Sequence, residues 1–221
     1  MPKQRIATRR LYGFIDTAYL GDRDPAEVTR AMIDGGVDVI QVRAKDLTHV
    51  QRVELSLAVV GVAFRHDIPV IVNDDIDAAF EVGADGVHLG QEDWAAIQPE
   101  TRLKRLANMR IVGISTHSQE QALAAERDGA DYIGVGPVFA TATKPGMQPV
   151  GLQLVEQVRE SVRSPFFAIG GITLDNVVSV LEAGAQRIAV VSAILGSADV
   201  TMAAAAFKQQ LSKVAFSANE S

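Results

Sequence analysis

The chain has 221 residues, 48% of them hydrophobic and 22% charged, so it can bury a sizeable core and lacks the composition of a disordered segment. Its formal net charge of −6 argues against a broad nucleic-acid-binding surface, and we expect no nucleic-acid partner. It contains no cysteine, which excludes disulfides and thiolate metal sites.

No apolar run approaches the roughly 20 residues that a membrane-spanning helix needs, and the basic start of the chain lacks the apolar stretch of a secretory signal. We therefore expect a cytoplasmic protein that does not associate with a membrane. We also expect a single domain over residues 1–221, in which the basic residues 1–10 form an unstructured start.

A repeated pattern predicts the fold. Four times a helical pattern ends in glycine, at Gly36, Gly83, Gly129 and Gly184, and leads directly into an apolar run. Glycine just past a helix supplies its left-handed cap, and the apolar run then begins a strand. Another strand candidate lies between each pair of repeats. The predicted strands are residues 11–16, 37–43, 69–73, 86–89, 110–115, 132–138, 166–170 and 187–192.

Helical patterns separate these strands. The pairs Thr48 with Gln51 and Ser118 with Gln121 have the spacing of capping boxes, and residues 199–214 are predicted to form a closing helix. Eight alternating units over this length indicate an α/β protein that forms a single (β/α)8 TIM barrel. An open doubly wound sheet is the alternative, which the lack of a glycine-rich dinucleotide turn disfavours.

Barrels of this kind place their active sites at the C-terminal ends of the strands. In the second strand, Gln41, Arg43 and Lys45 alternate onto one face. Two cations and an amide facing the barrel interior are costly unless an anion meets them, which favours a phosphate site. The alternatives are a salt bridge to Asp74 and a solvated strand end.

The third and fourth strands each end in acidic residues. Asn73 and Asp74 follow the third strand, and Asp93 lies just after the fourth. Carboxylates at neighbouring strand ends suit a hard cation such as Mg2+. Helix capping explains the acids equally well, although Asp75 or Asp77 could cap the next helix and leave Asp74 free.

The remaining strand ends carry hydroxyls and glycines. Ser115 is predicted to donate a hydrogen bond to a phosphate, whereas His88, inside the fourth strand, is predicted to be packed. The connection over residues 141–151 is predicted to be either a functional lid or an ordinary mobile loop. The glycines near residue 171 and the pair Val191–Ser192 suit a second phosphate site.

Two phosphate-directed sites and a carboxylate pair thus occur together, without an evident general base or redox motif. Arg43, Lys45 and Lys144 together with Mg2+ would balance the charge of a pyrophosphate and assist its departure. The second phosphate would belong to a different substrate. These residues therefore predict a transferase in which one substrate displaces pyrophosphate from another.

Seven segments resemble, in order, the thiamine phosphate synthase (thiamine-phosphate pyrophosphorylase) family. They are QVRAK at 41–45, VND at 72–74, GVHLGQED at 86–93, GIS at 113–115, GPVFATATK at 136–144, IGGI at 169–172 and VS at 191–192. The resemblance implies that a hydroxymethylpyrimidine diphosphate and a thiazole phosphate are joined to thiamine phosphate, with release of pyrophosphate. It also implies a dissociative mechanism, in which the C–O bond ionises and the thiazole nitrogen captures a pyrimidine carbocation.

Carried over by position, the resemblance implies that Gln41 contacts the pyrimidine and that Asp74 and Asp93 hold Mg2+. The residues implied to bind pyrophosphate are Arg43, Lys45, Asn73, Ser115 and Lys144. The residues implied to bind the thiazole phosphate are Thr141, Thr143, Gly171, Val191 and Ser192. The catalytic residues among them are Arg43, Lys45, Ser115 and Lys144.

Three other functions stay open at this point. A thiazole tautomerase, a related isomerase, would not need Asp74 and Asp93. A phosphosugar isomerase would leave Arg43 and Lys45 unexplained. A non-catalytic sensor of a phosphorylated ligand would bind without turnover. The sequence is compatible with a homo-oligomer and does not determine the oligomeric state.

Overall fold

Eight parallel strands form a closed barrel in which each strand pairs with the next in the chain and the eighth pairs with the first. The computed structural model describes residues 6–98, 106, 109–143 and 146–216. The strands are β1 (Leu11–Asp16), β2 (Val39–Arg43), β3 (Val70–Asn73), β4 (Gly86–Leu89), β5 (Ile111–Thr116), β6 (Tyr132–Val135), β7 (Phe166–Ile169) and β8 (Ile188–Ala189). The predicted (β/α)8 barrel is confirmed, and the open sheet is excluded.

Helices surround the barrel and connect its strands. They are α1 (Thr17–Leu20), α2 (Pro25–Asp34), α3 (His49–Ala63), α4 (Ile76–Glu81), α5 (Gln91–Ala96), α6 (Gln119–Arg127), α7 (Gly151–Ser161), α8 (Val177–Glu182), α9 (Ser192–Leu195) and α10 (Val200–Ser212). A single 3-10 turn, Phe64–His66, follows α3. Within the described residues, none of these helices has the length and apolar character needed to cross a membrane.

Three predicted strands are longer than the observed ones by two residues or more. The second begins at Val39 because the Val37 amide donates to the Met32 carbonyl and so ends α2 instead of joining the sheet. The sixth ends before Pro137, which has no N–H for the ladder. The eighth ends at Ala189 because α9 begins three residues later.

The predicted helix starts are largely correct. Thr48 and Gln51 form a complete capping box at α3, and Asp199 caps the closing helix α10. Ser118 caps α6 by accepting from the Gln121 amide. The reciprocal bond of a capping box, from the Ser118 backbone N–H to the Gln121 side chain, does not form, and that part of the prediction is wrong. The Gln121 side chain accepts from the backbone N–H of His117 instead.

Alternating side chains divide each strand between two apolar layers. Outward residues such as Ile40 and Val42 pack beneath the helices, and a separate cluster fills the barrel interior. The interior cluster consists of Ile6, Tyr12, Phe14, Val39, Ile71, Ile111, Tyr132, Phe167 and Ala189. This packed interior supports the residues that lie above it, at the C-terminal ends of the strands.

The prediction of an unstructured start is wrong for residues 6–10. Ile6 is fully buried in the barrel interior, and the Arg10 side chain donates to the Gln186 carbonyl at 3.0 Å. Burial of one apolar side chain and a long-range hydrogen bond hold this segment against the N-terminal end of the barrel. Residues 1–5 lie outside the described residues.

Candidate active site

The C-terminal ends of the strands open into a cavity. The predicted site residues that line it are Gln41, Arg43, Asn73, Ser115, Thr141, Thr143, Gly171, Val191 and Ser192. An adjoining, more open depression is lined by Lys45, Asp74 and Asp93, and Asn73 lies between the two. The barrel therefore brings both predicted groups of residues to one mouth. Lys144 lies outside the described residues.

Arg43 is held by a carboxylate that the sequence analysis did not identify. Its Nη1 donates to Asp16 Oδ2 at 2.8 Å, and the Asp16 side chain is 1% exposed. The predicted alternative, a salt bridge to Asp74, forms from Lys45 and not from Arg43. Asp16 lies at the C-terminal end of β1, so the rule applied to the other strand ends would have found it. The pair keeps the guanidinium in the cavity wall.

Asp74 lies at the rim of the cavity in an unusual backbone conformation. Its φ of +63° is in the left-handed region, which aspartate tolerates better than most residues and which is common at functional sites. Its Oδ2 accepts from Asn73 Nδ2 at 2.6 Å and lies 3.3 Å from Lys45 Nζ. The rim therefore pairs Lys45, not Arg43, with this acid.

Asp75 caps the helix that follows and so leaves Asp74 available. It accepts from the Ala78 amide at 2.9 Å and contacts Arg52 and His49. Burial raises the pKa of Asp75, yet hydrogen bonds from Ala78, His49 and Arg52 outweigh it and hold the pKa below its ordinary value. Of the two capping candidates, Asp75 rather than Asp77 takes this role.

Asp93, in the first turn of α5, lies beside Asp74. Partial burial raises the pKa of Asp93, and the negative charge of Asp74 together with a side-chain hydrogen bond to it raises that pKa further. Lys45 and a backbone hydrogen bond at Gly90 act in the opposite direction. Two neighbouring carboxylates of this kind repel each other until a proton or a cation separates them.

The donor set of this acidic rim fits a hard cation. Asp74 and Asp93 offer carboxylate oxygens, which Mg2+ prefers. Burial first, and then the neighbouring Asp74 charge, raises the pKa of Asp93, and a cation would offset the second of these. No group of three or more histidine, cysteine or acidic side chains able to hold a metal occurs among the described residues. Two carboxylates alone leave the rest of an octahedral shell to waters and to oxygens of a ligand.

The cavity floor is a ring of aromatic and polar side chains linked by hydrogen bonds. Gln41 Nε2 donates to the Tyr12 hydroxyl, which contacts the Tyr132 hydroxyl, and both distances are 2.9 Å. The imidazole of His88 then joins Tyr132 to Ser115. His88 is 9% exposed and packed, as predicted. The tyrosines were missed because their partners lie across the barrel.

The connection between β6 and α7 packs against the end of β7. The amides of Val138 and Phe139 donate to the carbonyls of Ile169 and Gly170, at 2.9 and 3.0 Å. Gly171 has φ +63°, and a Cβ there would lie 2.4 Å from the Ala140 carbonyl oxygen. Glycine is therefore required at this position for close backbone packing, a reason that the sequence analysis did not give.

Hydroxyl groups from this connection reach across the mouth of the cavity. Thr143 Oγ1 lies 3.1 Å from the Tyr19 hydroxyl, and its carbonyl is 3.5 Å from Arg43 Nη2. On the opposite side, Val191 precedes the first turn of α9, which begins at Ser192. The cavity thus has a cationic wall at β2 and a neutral wall of hydroxyls and backbone at β6 to β8.

Comparisons with known proteins agree with this geometry. A family model described as thiamine monophosphate synthase matches residues 11–194. The thiamine-phosphate synthase of Chloroflexus aurantiacus is 44% identical over 200 residues, which cover 90% of this chain and 91% of the relative. That of Thermus thermophilus is 46% identical over 188 residues, which cover 85% of this chain and 89% of the relative.

Solved structures agree as well. The thiamine phosphate pyrophosphorylase from Pyrococcus furiosus has a TM-score of 0.83 and 34% identity, and the match covers 96% of this chain and 98% of that one. A 3-hexulose-6-phosphate synthase, with a TM-score of 0.69 and 23% identity over 91% of this chain and 99% of that one, shares the fold alone. By its sequence and its fold, this chain belongs to the thiamine-phosphate synthase family.

Proposed function

We propose that this chain joins a hydroxymethylpyrimidine diphosphate to a hydroxyethylthiazole phosphate, giving thiamine phosphate and pyrophosphate. One observation carries the proposal: a cavity with a cationic wall adjoins an acidic rim, and Asn73 borders both. A diphosphate lying between Arg43 and the rim would meet opposite charge on the protein and on a cation at once. Membership of the family, at 44% identity to a curated synthase, supports the same reaction.

The pyrophosphate group would lie between β2, β3 and β5. Arg43 lines the cavity while its other face is fixed by Asp16, so its remaining N–H groups can donate to phosphate oxygens. Asn73 and Ser115, which also line the cavity, would supply neutral donors. Lys45, half-exposed at the rim, would turn from Asp74 towards the anion. Lys144 directly follows Thr143 in the sequence and would add a further cation.

Asp74 and Asp93 would hold Mg2+. Bound there, the ion would stabilise the negative charge that accumulates on the departing pyrophosphate. Asn73 would keep Asp74 oriented through the 2.6 Å hydrogen bond between their side chains. Because the proposed ligand set has two carboxylates, the diphosphate itself would complete the coordination, and metal and substrate would bind together.

The other substrates would occupy the rest of the cavity. The aromatic floor suits a flat pyrimidine ring, and Gln41 would contact that ring from β2. The thiazole phosphate would lie against the neutral wall. Its ligands would be Thr141, Thr143, Gly171, Val191 and Ser192. Separate walls for the two phosphates would hold the thiazole nitrogen opposite the leaving group.

The chemistry needs no general base. The bond between the pyrimidine methylene carbon and the diphosphate oxygen breaks, and its electron pair leaves with the pyrophosphate. The thiazole nitrogen then donates its lone pair to the resulting carbocation and forms the new C–N bond. No proton moves in either step. Arg43 and Ser115 would position the substrate, stabilise the charge of the leaving group and help to exclude water.

The proposal places this reaction in the cytoplasm, consistent with a chain that has no cysteine to form disulfides. Every group that it uses comes from one chain, so it is compatible with a homo-oligomer without requiring one. A thiazole tautomerase would isomerise a thiazole phosphate without releasing pyrophosphate. A phosphate-ligand sensor would bind and release its ligand unchanged.

The test is to incubate the purified chain with both substrates, with Mg2+ or with a chelator, and to measure thiamine phosphate and pyrophosphate. We expect equal amounts of the two products, only when both substrates and Mg2+ are present. Absence of product would contradict the proposed reaction. Product formation that a chelator does not affect would contradict the proposed metal.

A further inference from the structure

A continuous chain of hydrogen bonds crosses the cavity floor from β2 to β5. Its members, in order, are Gln41, Tyr12, Tyr132, His88 and Ser115. The two tyrosine hydroxyls lie 2.9 Å apart, the Tyr132 hydroxyl is 2.9 Å from His88 Nδ1, and His88 Nε2 is 2.8 Å from Ser115 Oγ. One end therefore contacts the proposed pyrimidine subsite and the other the proposed pyrophosphate subsite.

With Gln41 donating at one end, only one polarity uses both tyrosine hydroxyl protons in bonds of this chain. Gln41 Nε2 can only donate, so the Tyr12 hydroxyl accepts this hydrogen bond. The Tyr12 hydroxyl in turn donates a hydrogen bond to the Tyr132 hydroxyl. The Tyr132 hydroxyl then has its proton left for His88 Nδ1, which must be the unprotonated ring nitrogen. The imidazole proton is consequently on Nε2 and is donated to Ser115.

Burial keeps both tyrosine hydroxyls protonated, as the order of donors in this hydrogen-bond chain requires. Removal from water raises the pKa of Tyr12 well above its ordinary value and outweighs the hydrogen bond from Gln41, which acts to lower it. Burial likewise raises the pKa of Tyr132, with a further contribution from Tyr12. Each hydroxyl thus keeps one proton, and each can accept one hydrogen bond and donate one.

The imidazole also has a fixed place in the floor. A Cβ on Gly134 would lie 3.3 Å from His88 Cε1 and 3.6 Å from its Nε2, so the glycine leaves room for the ring in this orientation. The ring lies 5.4 Å from that of Tyr132 between centroids. Packing on two sides therefore holds both ring nitrogens towards their partners.

We propose that His88 is a positioning residue whose Nε2–H occupies the acceptor site of Ser115 and so directs the Ser115 hydroxyl proton into the cavity, towards the pyrophosphate. This inference rests on the proposed function for the identity of the anion. With the opposite polarity, Nε2 would accept the Ser115 proton, and the hydroxyl would present only lone pairs to a negatively charged group. The protein thus makes Ser115 a donor before any ligand arrives.

The tautomer can be measured in the ligand-free enzyme. The chain has four histidines, so a two-bond 1H–15N spectrum of histidine-labelled protein, assigned with His88→Gln, resolves the ring nitrogens of His88. We expect a neutral ring protonated on Nε2. A proton on Nδ1, in a neutral or a charged ring, would overturn the proposal. The measurement does not depend on turnover, so it stands apart from the test of the reaction.

The Tyr132→Phe variant allows a second test, because a purely structural role of Tyr132 would leave the His88 tautomer unchanged. It removes the donor to Nδ1 and leaves the contact between His88 and Ser115 in place. We expect the Nδ1–H tautomer to become detectable in the same spectrum. A tautomer unchanged in Tyr132→Phe would contradict the role of the chain in setting it.

Binding of inorganic pyrophosphate with Mg2+ tests the consequence for the ligand. We expect His88→Phe to weaken this binding about tenfold, because a hydrogen bond to a charged group is no longer directed at it. His88→Gln, whose amide N–H can replace Nε2–H, is expected to restore most of the affinity. When Ser115→Ala is also present, the His88→Phe and His88→Gln variants are expected to bind pyrophosphate with equal affinity. Equal affinities of His88→Phe and the unmodified chain, or a loss of the same size in the Ser115→Ala background, would overturn the proposal.

Discussion

The floor of the cavity and its acidic rim differ in how their polar side chains interact with each other. On the floor, Gln41, Tyr12 and Tyr132 satisfy one another inside an apolar setting. At the rim, Asp74 and Asp93 stand side by side, and their mutual repulsion contributes to the raised pKa of Asp93. The floor is complete without a ligand, whereas the proposed function has a cation and the diphosphate complete the rim.

This difference separates stability from function within one site. Groups that orient a substrate can be satisfied by the protein alone, because they are neutral and buried together. The two acids proposed to bind a cation repel each other in its absence, which lowers the stability of the metal-free protein. The φ of +63° at Asp74 is a further feature of the rim that does not favour folding. Substitutions should therefore have opposite effects on stability in the two regions.

The largest effect is expected where a charge is satisfied inside the cavity wall. Asp16→Ala leaves the Arg43 guanidinium without its carboxylate, in a pair whose side chains are 1% and 12% exposed. We expect the free energy of unfolding to fall by about 3 kcal/mol, measured by urea denaturation. Asp22→Ala, at an exposed acid nearby, is the control. Equal stabilities of the two variants would show that the pair is not a structural element.

The next effect concerns turnover at the rim. Asp93→Asn removes a proposed Mg2+ ligand, and we expect kcat/KM to fall by about a hundredfold or more, since a metal contributes several kcal/mol to such a transition state. The matched control is Glu92→Gln, the same change at the preceding exposed residue. Near-normal activity of Asp93→Asn would remove Asp93 from the metal site.

Features of these two regions that depend on local sequence were predictable, whereas contacts between distant segments were not. Alternation of side chains placed Gln41, Arg43 and Asn73 at the mouth, since that depends only on the strand and its direction. The partner of Arg43 depends on the register that sets it beside Asp16. The alternative salt bridge to Asp74 forms from Lys45 instead.

The floor was harder to predict than the rim. Tyr12 and Tyr132 lie 120 positions apart and meet only because the barrel closes. Each tyrosine alone is indistinguishable from an ordinary core aromatic. Gly171 likewise had a phosphate-directed explanation in the sequence, whereas its approach to Ala140 depends on the course of a long connection. The strand ends were therefore predictable, and the contacts between them were not.

A smaller effect is expected from removing one hydroxyl of the floor. Tyr12→Phe leaves the Gln41 amide without its acceptor and Tyr132 without its neighbour. We expect a loss of about 1–2 kcal/mol in the free energy of unfolding, from thermal or urea denaturation. Tyr19→Phe is the matched control, because its hydroxyl contacts Thr143 in a half-buried position. A loss no greater than that control would mean that the floor hydrogen bonds contribute little to stability.

The smallest effect has the opposite sign. Because the folded-state pKa of Asp93 is raised, its ionisation costs stability as the pH rises from about 4 through that pKa. We therefore expect Asp93→Asn to stabilise the metal-free protein at pH 7, by less than about 1 kcal/mol because the group is exposed. The gain should shrink towards pH 4. Thermal denaturation in a chelator measures it, and a destabilised variant at pH 7 would contradict the repulsion at the rim.

The central claim is that the acidic rim and the cationic cavity wall act as one site, completed by ligand. Calorimetric titration of Mg2+ and of inorganic pyrophosphate, each with and without the other, tests it most directly. We predict weak binding of either alone, mutual enhancement by one common factor, and loss of that enhancement in Asp74→Asn together with Asp93→Asn. Pyrophosphate binding that is equally tight with Mg2+, with a chelator and in the double variant would contradict the claim.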